Sequence, residues 1–145
     1  MSAPDRSSVK PVPVPSALAE PFWAALKRQD FQLQRCAKCG GYNHPPKIIC
    51  PHCHGRKLEW VSVPKTGTVY SFTIVHRPPT PAFKDDVPYA VGLVDIDGTN
   101  VRLLSSLVMP PAEVHIGKRV EIMFDTVNDD ITLFRFKPLA GEEKK

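Results

Sequence analysis

Two short cysteine motifs, CAKCGG at residues 36–41 and CPHCHG at residues 50–55, decide how this chain is organised. Each motif contains a Cys-x-x-Cys pair, and ten residues lie between the two pairs. A glycine just past the second cysteine of each pair can adopt the positive φ that turns backbone N–H groups toward thiolate sulfur. Two such turns brought together place four thiolates at tetrahedral corners, which is the closed ligand set of a structural zinc site.

The predicted zinc ligands are Cys36, Cys39, Cys50 and Cys53, and the predicted cofactor is a structural Zn²⁺ ion. The same four sulfurs would also suit rubredoxin-type iron, and two disulfides would suit a secreted protein. The nearby histidines are interpreted as surface residues, because four cysteines already complete the tetrahedron and a catalytic zinc keeps one position open for water. We therefore expect a site that holds structure and performs no chemistry.

The composition limits the class of protein. With 145 residues, 42% of them apolar, the chain can form one or two small domains. A ribbon of about 25 residues buries too little surface to fold alone, so the metal is expected to stabilise it. The net charge of +4 allows an anionic partner without requiring one. No apolar run approaches the ~20 residues of a membrane span. No signal peptide is visible either, so we predict a cytoplasmic protein that does not contact membranes.

The N-terminal part divides into a tail and a helical segment. Residues 1–15 are polar and rich in proline and are predicted to form a flexible tail. Helix formers begin at residue 16, so a short amphipathic helix is expected within residues 16–34. Phe22 and Leu26 share one face of this helix, with Trp23 beside them. These side chains are large for a small domain, so we predict that they contact a partner subunit; the alternative is that they cover the edge of the ribbon.

The rest of the sequence predicts β-structure. A zinc ribbon over residues 35–61 should contain a turn and a return strand at 43–49 and a last strand at 58–61. Residues 62–138 contain five segments rich in valine, isoleucine and aromatic residues, separated by turn signals. The segments are Thr68–His76, Tyr89–Ile96, Val101–Val108, Arg119–Asp125 and Ile131–Phe136. Five short strands fit a small closed barrel of the oligonucleotide/oligosaccharide-binding (OB) kind, with a sandwich as the alternative. The second segment is expected to be buried on both faces, and residues 139–145 form a charged tail.

One connection between the predicted strands is long. Residues 76–88 contain four prolines, and a connection of this length in a compact domain is usually functional or disordered. Phe83 is a candidate exposed aromatic residue, and Arg77 and Lys84 are candidate phosphate contacts. The alternative is that the loop packs on the ribbon.

The order of these pieces resembles the DUF35 family over roughly residues 18–138. The resemblance is carried by PFW at 21–23, LQRC at 33–36, both cysteine motifs, Trp60, GTVYSFTIVHR at 67–77 and Pro88-Tyr89. It implies a mainly β fold: a short N-terminal helix, a rubredoxin-like zinc ribbon and a five-stranded OB-fold barrel. It also implies a partner subunit of a thiolase-like or lipid-transfer-protein-like enzyme that acts on acyl-CoA, with the catalytic residue in the partner.

The resemblance implies an accessory subunit that helps bind acyl-CoA and stabilises its partner, and the sequence itself predicts that this subunit is not catalytic. Arg77, Phe83 and Lys84 are then the expected CoA contacts. The sequence has no Gly-x-Ser-x-Gly elbow, no glycine-rich phosphate loop and no His-Glu-x-x-His helix, and the metal uses all four cysteines. A nucleic-acid-binding module is the alternative function. It is disfavoured because the barrel strands have few basic residues and aspartates such as Asp85 and Asp86 would repel phosphate.

Overall fold

The computed structural model describes residues 9–140, and within them the chain forms one α-helix and eight β-strands. The elements are α1 (Glu20–Lys27), β1 (Gln32–Cys36), β2 (Tyr42–Asn43), β3 (Leu58–Ser62), β4 (Thr66–Val75), β5 (Tyr89–Ile96), β6 (Arg102–Leu107), β7 (Arg119–Thr126) and β8 (Thr132–Pro138). Strands β1–β3 form the ribbon sheet, and β4–β8 close into a barrel. The predicted fold class is confirmed: mainly β, with one short helix, a ribbon and a five-stranded barrel.

The ribbon sheet has β1 in the centre, antiparallel to both β2 and β3. The prediction of a return strand over residues 43–49 is wrong, because β2 ends at Asn43. Two prolines follow it, and proline has no N–H to give to a sheet. The buried side chain of Gln34 replaces the missing strand pairing. Its amide donates to the carbonyl of Lys47 and accepts from the Lys47 N–H, both at 2.8 Å.

The barrel has the strand order β4-β5-β6-β8-β7 and is closed by β4, which pairs with β5 and with β7. A bulge between Val69 and Ser71 bends this long strand. Gly67 lies close to the backbone of β5: a Cβ there would be 2.5 Å from the carbonyl oxygen of Asp95. The prediction that β5 is buried on both faces is only partly right. Its residues alternate between buried and half-buried, so one face lies in the core and the other is partly exposed.

Helix α1 packs its apolar face inward. Phe22 is 3% exposed and Leu26 is fully buried, and both belong to one core cluster that includes ribbon and barrel side chains. The Phe22 ring lies 5.1 Å from the ring of His44 in the ribbon and 5.8 Å from the ring of Phe134 in β8. The prediction that Phe22 and Leu26 contact a partner is therefore wrong for this chain. The helix packs against both the ribbon and the barrel. This agrees with the alternative prediction, in which the helix covers the edge of the ribbon, and adds a contact with the barrel.

The predicted tails, residues 1–15 and 139–145, are only partly described: residues 1–8 and 141–145 lie outside the described residues. Residues 9–15 are largely exposed and have no regular secondary structure. Lys10 connects them to the barrel through an ion pair with Asp86 at 2.7 Å. In the part of the chain that the structure describes, no helix has the length and apolar character needed to cross a membrane.

Candidate functional site

The four cysteine sulfurs converge at one end of the ribbon, and all lie within 4.8 Å of one another. The Sγ atoms of Cys36 and Cys53 are 3.5 Å apart, and those of Cys39 and Cys50 are 3.6 Å apart. Sulfurs placed tetrahedrally at 2.3 Å from zinc would be about 3.8 Å apart, so the donor set fits a Zn²⁺ ion. Within residues 9–140 these cysteines are the only group of three or more His, Cys, Asp or Glu side chains that could share a metal, so the histidines are not among the ligands.

The two cysteine turns have the same backbone geometry. In each turn, the N–H four residues after the first cysteine donates to that cysteine's carbonyl oxygen, and the next N–H donates to the sulfur of the second cysteine. The bonds are Gly40 N–H to Cys36 O (2.8 Å), Gly41 N–H to Cys39 Sγ (3.5 Å), His54 N–H to Cys50 O (2.9 Å) and Gly55 N–H to Cys53 Sγ (3.4 Å). Such N–H groups stabilise thiolates, so each turn is ready to bind metal.

The predicted positive φ occurs in both turns but not always at glycine. Gly40 has φ +78°, as expected, whereas in the second turn His54 occupies the equivalent position with φ +62°. Gly55 instead supplies the N–H that points at sulfur. A left-handed conformation costs a non-glycine residue roughly 1–2 kcal/mol. The second turn is therefore the more strained of the two.

The protonation of the cysteines differs across the site. The N–H of Cys39 stabilises the Cys36 thiolate and, against the effect of burial, lowers the pKa of Cys36 to about 6. The N–H of Gly55 acts in the same direction on Cys53, but burial and the neighbouring cysteines prevail and raise the pKa of Cys53 to about 11. Four thiolates so close together repel one another, so the full ligand set requires a cation at its centre.

A cleft of about 440 Å³ lies in the barrel, beside the 76–88 loop. Its wall includes Lys10, Phe83, Tyr89, Met109, Met123 and Arg135. The Phe83 and Tyr89 rings lie 6.1 Å apart and are inclined by 33°, and the Lys10 ammonium lies 5.6 Å from the Phe83 ring centre. The cleft therefore combines an aromatic pair and two thioethers with two cations.

The structure places the three loop residues singled out from the sequence in different settings. Phe83 ends a short 3₁₀ turn and is half-buried in the cleft wall, not fully exposed as predicted. Arg77 and Lys84 are exposed outside the cleft wall, and neither forms an ion pair with another described residue. Lys10, Tyr89 and Arg135 were missed, because they come from three separate segments without a shared motif.

Three polar side chains of the barrel with groups suited to catalysis, Asp95, Asp97 and Ser105, are engaged in hydrogen bonds or ion pairs. Asp97 accepts hydrogen bonds from Arg119, which, despite partial burial, lowers the pKa of Asp97 to about 2. Asp95 pairs with Arg102 at 2.6 Å. Ser105 donates its hydroxyl to the Phe134 carbonyl at 2.7 Å. These groups stabilise the barrel, and none is paired with a base that would activate a nucleophile.

Two family models match the chain in tandem. The rubredoxin-like zinc ribbon domain of ChsH2 matches residues 23–59, and the C-terminal OB-fold domain of ChsH2 matches residues 60–125. The cysteine cluster lies within the first match and the 76–88 loop within the second. The predicted zinc ribbon is confirmed by this match together with the sulfur geometry.

Curated relatives carry several different names. A probable enoyl-CoA hydratase alpha subunit of Thermomonospora curvata is 38% identical over 85% of this chain, which spans only 38% of that protein's length. A DUF35 domain-containing scaffold protein of Methanothermobacter thermautotrophicus is 32% identical over 77% of this chain and 89% of its own. The benzoylsuccinyl-CoA thiolase subunit BbsA of Thauera aromatica is 30% identical over 66% of this chain and 64% of its own.

A solved structure is similar over nearly the whole described chain. It is a chain of the Ltp2-ChsH2(DUF35) aldolase, with a TM-score of 0.78 and 34% sequence identity. The match covers 88% of this chain and 98% of that one. The resemblance to the DUF35 family that the sequence predicted is confirmed.

Proposed function

This chain belongs to the DUF35 family, and we propose that it is the non-catalytic accessory subunit of a thiolase-like enzyme complex that acts on acyl-CoA. The observation that carries the proposal is the match over 98% of a DUF35 chain that assembles with Ltp2 in an aldolase. The proposed role has two parts: binding the enzyme partner, and forming one wall of the path by which CoA reaches the partner's active site.

The variety of reactions among the relatives supports a role without chemistry of its own. Their names describe a hydratase alpha subunit, a thiolase subunit and an aldolase. Adding water to a double bond and cleaving carbon–carbon bonds need different catalytic groups, so a module common to all three is expected to contribute something the reactions share. The names of the hydratase and the thiolase both contain CoA. Binding the CoA part of the substrate is therefore a reasonable common task.

The engaged side chains of this chain support the same conclusion. All four cysteines belong to the closed sulfur cluster, so none is available as the nucleophile of thiolysis. Ser105 and Asp97 are committed to structural hydrogen bonds. The partner is then expected to supply the nucleophile and the base.

The barrel cleft and its loop have the chemistry that an adenine nucleotide requires. The Phe83–Tyr89 pair offers aromatic faces for a purine. Exposed cations at Arg77 and Lys84 on the same loop can pair with phosphates, and Arg is suited to bidentate phosphate contacts. We propose that CoA lies along the 76–88 loop with its phosphates toward these cations.

Of the three side chains of helix α1 that the sequence suggested for partner binding, only Trp23 is proposed to contact the partner. Phe22 and Leu26 are buried within the chain, whereas Trp23 is half-buried with its ring edge-on to Phe22 at 5.3 Å. The exposed part of this ring can still be covered by the partner.

The CoA contact is tested in the complex obtained by co-expressing this chain with its thiolase-like enzyme. Arg77→Ala should raise the KM for acetoacetyl-CoA about tenfold, because a charge-assisted phosphate bond contributes about 1.5–3 kcal/mol. The value of kcat should stay unchanged, since the reacting atoms lie on the partner. Steady-state kinetics of wild-type and variant complexes measure both constants.

Arg28→Ala is the matched control, because Arg28 is an exposed arginine at the end of α1. It should leave the KM within about twofold of wild type. Equal KM values for Arg77→Ala and wild type would contradict the proposed CoA contact. Failure of the wild-type chain to co-elute with a thiolase-like enzyme would contradict the proposed function itself.

A further inference from the structure

The zinc-binding end of the ribbon carries a basic surface that the proposed CoA path does not use. From residue 31 to residue 58 the sequence contains no aspartate or glutamate. Five cations lie in this stretch and all are exposed: Arg35, Lys38, Lys47, Arg56 and Lys57. Four thiolates around one Zn²⁺ leave two negative charges, and the exposed Glu59, the cross-strand neighbour of Arg35, adds a third, so the five cations are still in excess. This end of the molecule therefore stays positively charged when the metal is bound.

Two aliphatic side chains project from the same stretch. Ile48 is 75% exposed and Ile49 is 40% exposed, directly before the metal ligand Cys50. Both follow Lys47. The N–H of Lys47 donates to the buried Gln34 side-chain amide and its carbonyl accepts from the same amide, each at 2.8 Å. The loop is thus fixed to the central ribbon strand immediately before the two isoleucines. We use the term ribbon face for Ile48 and Ile49 together with the five exposed cations.

We propose that the ribbon face docks on a protein surface that offers an apolar socket surrounded by aspartate and glutamate. This inference rests on the proposed function, since the surface is assigned to the thiolase-like partner. Lys47 adjoins Ile48 in the chain, and Lys38 adjoins Cys39, whose sulfur is 3.6 Å from that of Cys50 beside Ile49. Exposed apolar side chains next to charged ones are common at binding hot spots. Because the exposed cations of the ribbon face are positively charged, the matching surface of the partner is expected to be negatively charged. Complementary charges accelerate association, and like-charged surfaces are excluded.

The side chains of the ribbon face favour a protein over a nucleic acid. Proteins that bind single strands stack bases on exposed aromatic rings, and isoleucine has no such face. Of the aromatic residues in and next to the basic stretch, Phe31 is fully buried and Trp60 is half-buried, and Tyr42 is half-buried with the Arg35 guanidinium 5.8 Å from its ring. The apolar side chains of Ile48 and Ile49 would remain uncovered on a phosphate backbone. An apolar socket on a protein would cover them.

The matched pair Ile48→Ser and Ile116→Ser tests this inference. Ile116 is 69% exposed in the connection between β6 and β7, so both variants remove a similarly exposed isoleucine. We expect Ile48→Ser to raise the Kd for the thiolase-like partner at least about tenfold, as for a hot-spot residue. Ile116→Ser should change it less than about twofold. Zinc content and thermal midpoint should match wild type in both, which separates lost docking from lost folding.

The charge of the ribbon face is tested by the salt dependence of the same Kd. Wild-type affinity should fall as NaCl rises from 50 to about 300 mM, because the screening length shortens. Lys47→Glu should weaken binding and flatten this dependence. Lys65→Glu, an exposed lysine next to β4 in the barrel, should do neither.

The outcomes separate this inference from the proposed function. Equal Kd values for wild type, Ile48→Ser and Ile116→Ser would overturn the inference that the ribbon face docks on the partner. The proposed function as an accessory subunit would not be affected. Tight binding of a labelled single-stranded oligonucleotide that Lys47→Glu abolishes and Ile48→Ser does not affect would assign the face to nucleic acid and also overturn this inference. Absence of any wild-type complex would overturn the proposed function and this inference together.

Discussion

Replacing Cys50 with serine should abolish metal binding and unfold the ribbon. The wild-type chain should contain one zinc ion, and Cys50→Ser almost none, because the remaining three sulfurs cannot close the tetrahedron. Binding of structural zinc contributes about 10–16 kcal/mol in ribbon-sized domains at pH 7, far more than so small a core can replace. Elemental analysis and amide hydrogen exchange of β1–β3 measure the two losses. Chelation of the wild-type metal should reproduce the same exchange pattern.

His52→Ser is the control for this experiment. His52 lies between Cys50 and Cys53 and is exposed, and it is not part of the sulfur cluster. Its replacement should leave the zinc content unchanged. Metal-free protein with a protected ribbon, or loss of zinc in His52→Ser equal to that in Cys50→Ser, would contradict the four-cysteine site.

Replacing Phe22 with alanine should destabilise the whole chain. Phe22 is 3% exposed and its ring contacts both His44 of the ribbon and Phe134 of the barrel. Removing a buried phenylalanine typically costs about 3–5 kcal/mol, from lost transfer free energy and from the cavity left behind. Because the ring lies between the two parts, their unfolding should also become less cooperative. Urea unfolding followed by fluorescence and by zinc release measures both effects.

Trp23→Ala gives the comparison that separates packing from docking. Trp23 is half-buried, so its removal should reduce the free energy of unfolding less than Phe22→Ala does. It should instead weaken binding to the thiolase-like partner. If Phe22→Ala proved as stable as wild type and lost only partner binding, the intramolecular role of α1 would be wrong.

The parts of the fold that the sequence predicted well are those set by local patterns. The cysteine spacing predicted the metal site, because each Cys-x-x-Cys turn is formed by a short continuous segment of the chain. Alternating β-branched and aromatic residues predicted the five barrel strands nearly to their observed ends. The return strand after Asn43 was a local error, since Pro45 and Pro46 already argued against sheet pairing.

The features that were mispredicted depend on contacts between distant segments. Whether Phe22 faces a partner or the core depends on Phe134, more than a hundred residues later, and no periodicity in α1 reveals that contact. The cleft is assembled from Lys10, Phe83 and Met123, three segments whose proximity only the barrel topology determines. His54 takes the left-handed conformation because it is the fourth residue after Cys50, as Gly40 is after Cys36, and the turn requires that conformation at this position whichever residue occupies it.

The central claim is tested most directly by acyl-CoA turnover in three preparations: this chain alone, the thiolase-like partner alone and their complex. Thiolysis of acetoacetyl-CoA, in which the C2–C3 bond breaks and free CoA takes up the released acetyl group to give two acetyl-CoA, is followed at matched protein concentrations. We predict no turnover above buffer for the isolated chain at any concentration, and turnover by the complex that exceeds that of the partner alone. Turnover by the isolated chain that rises in proportion to its concentration would contradict the account.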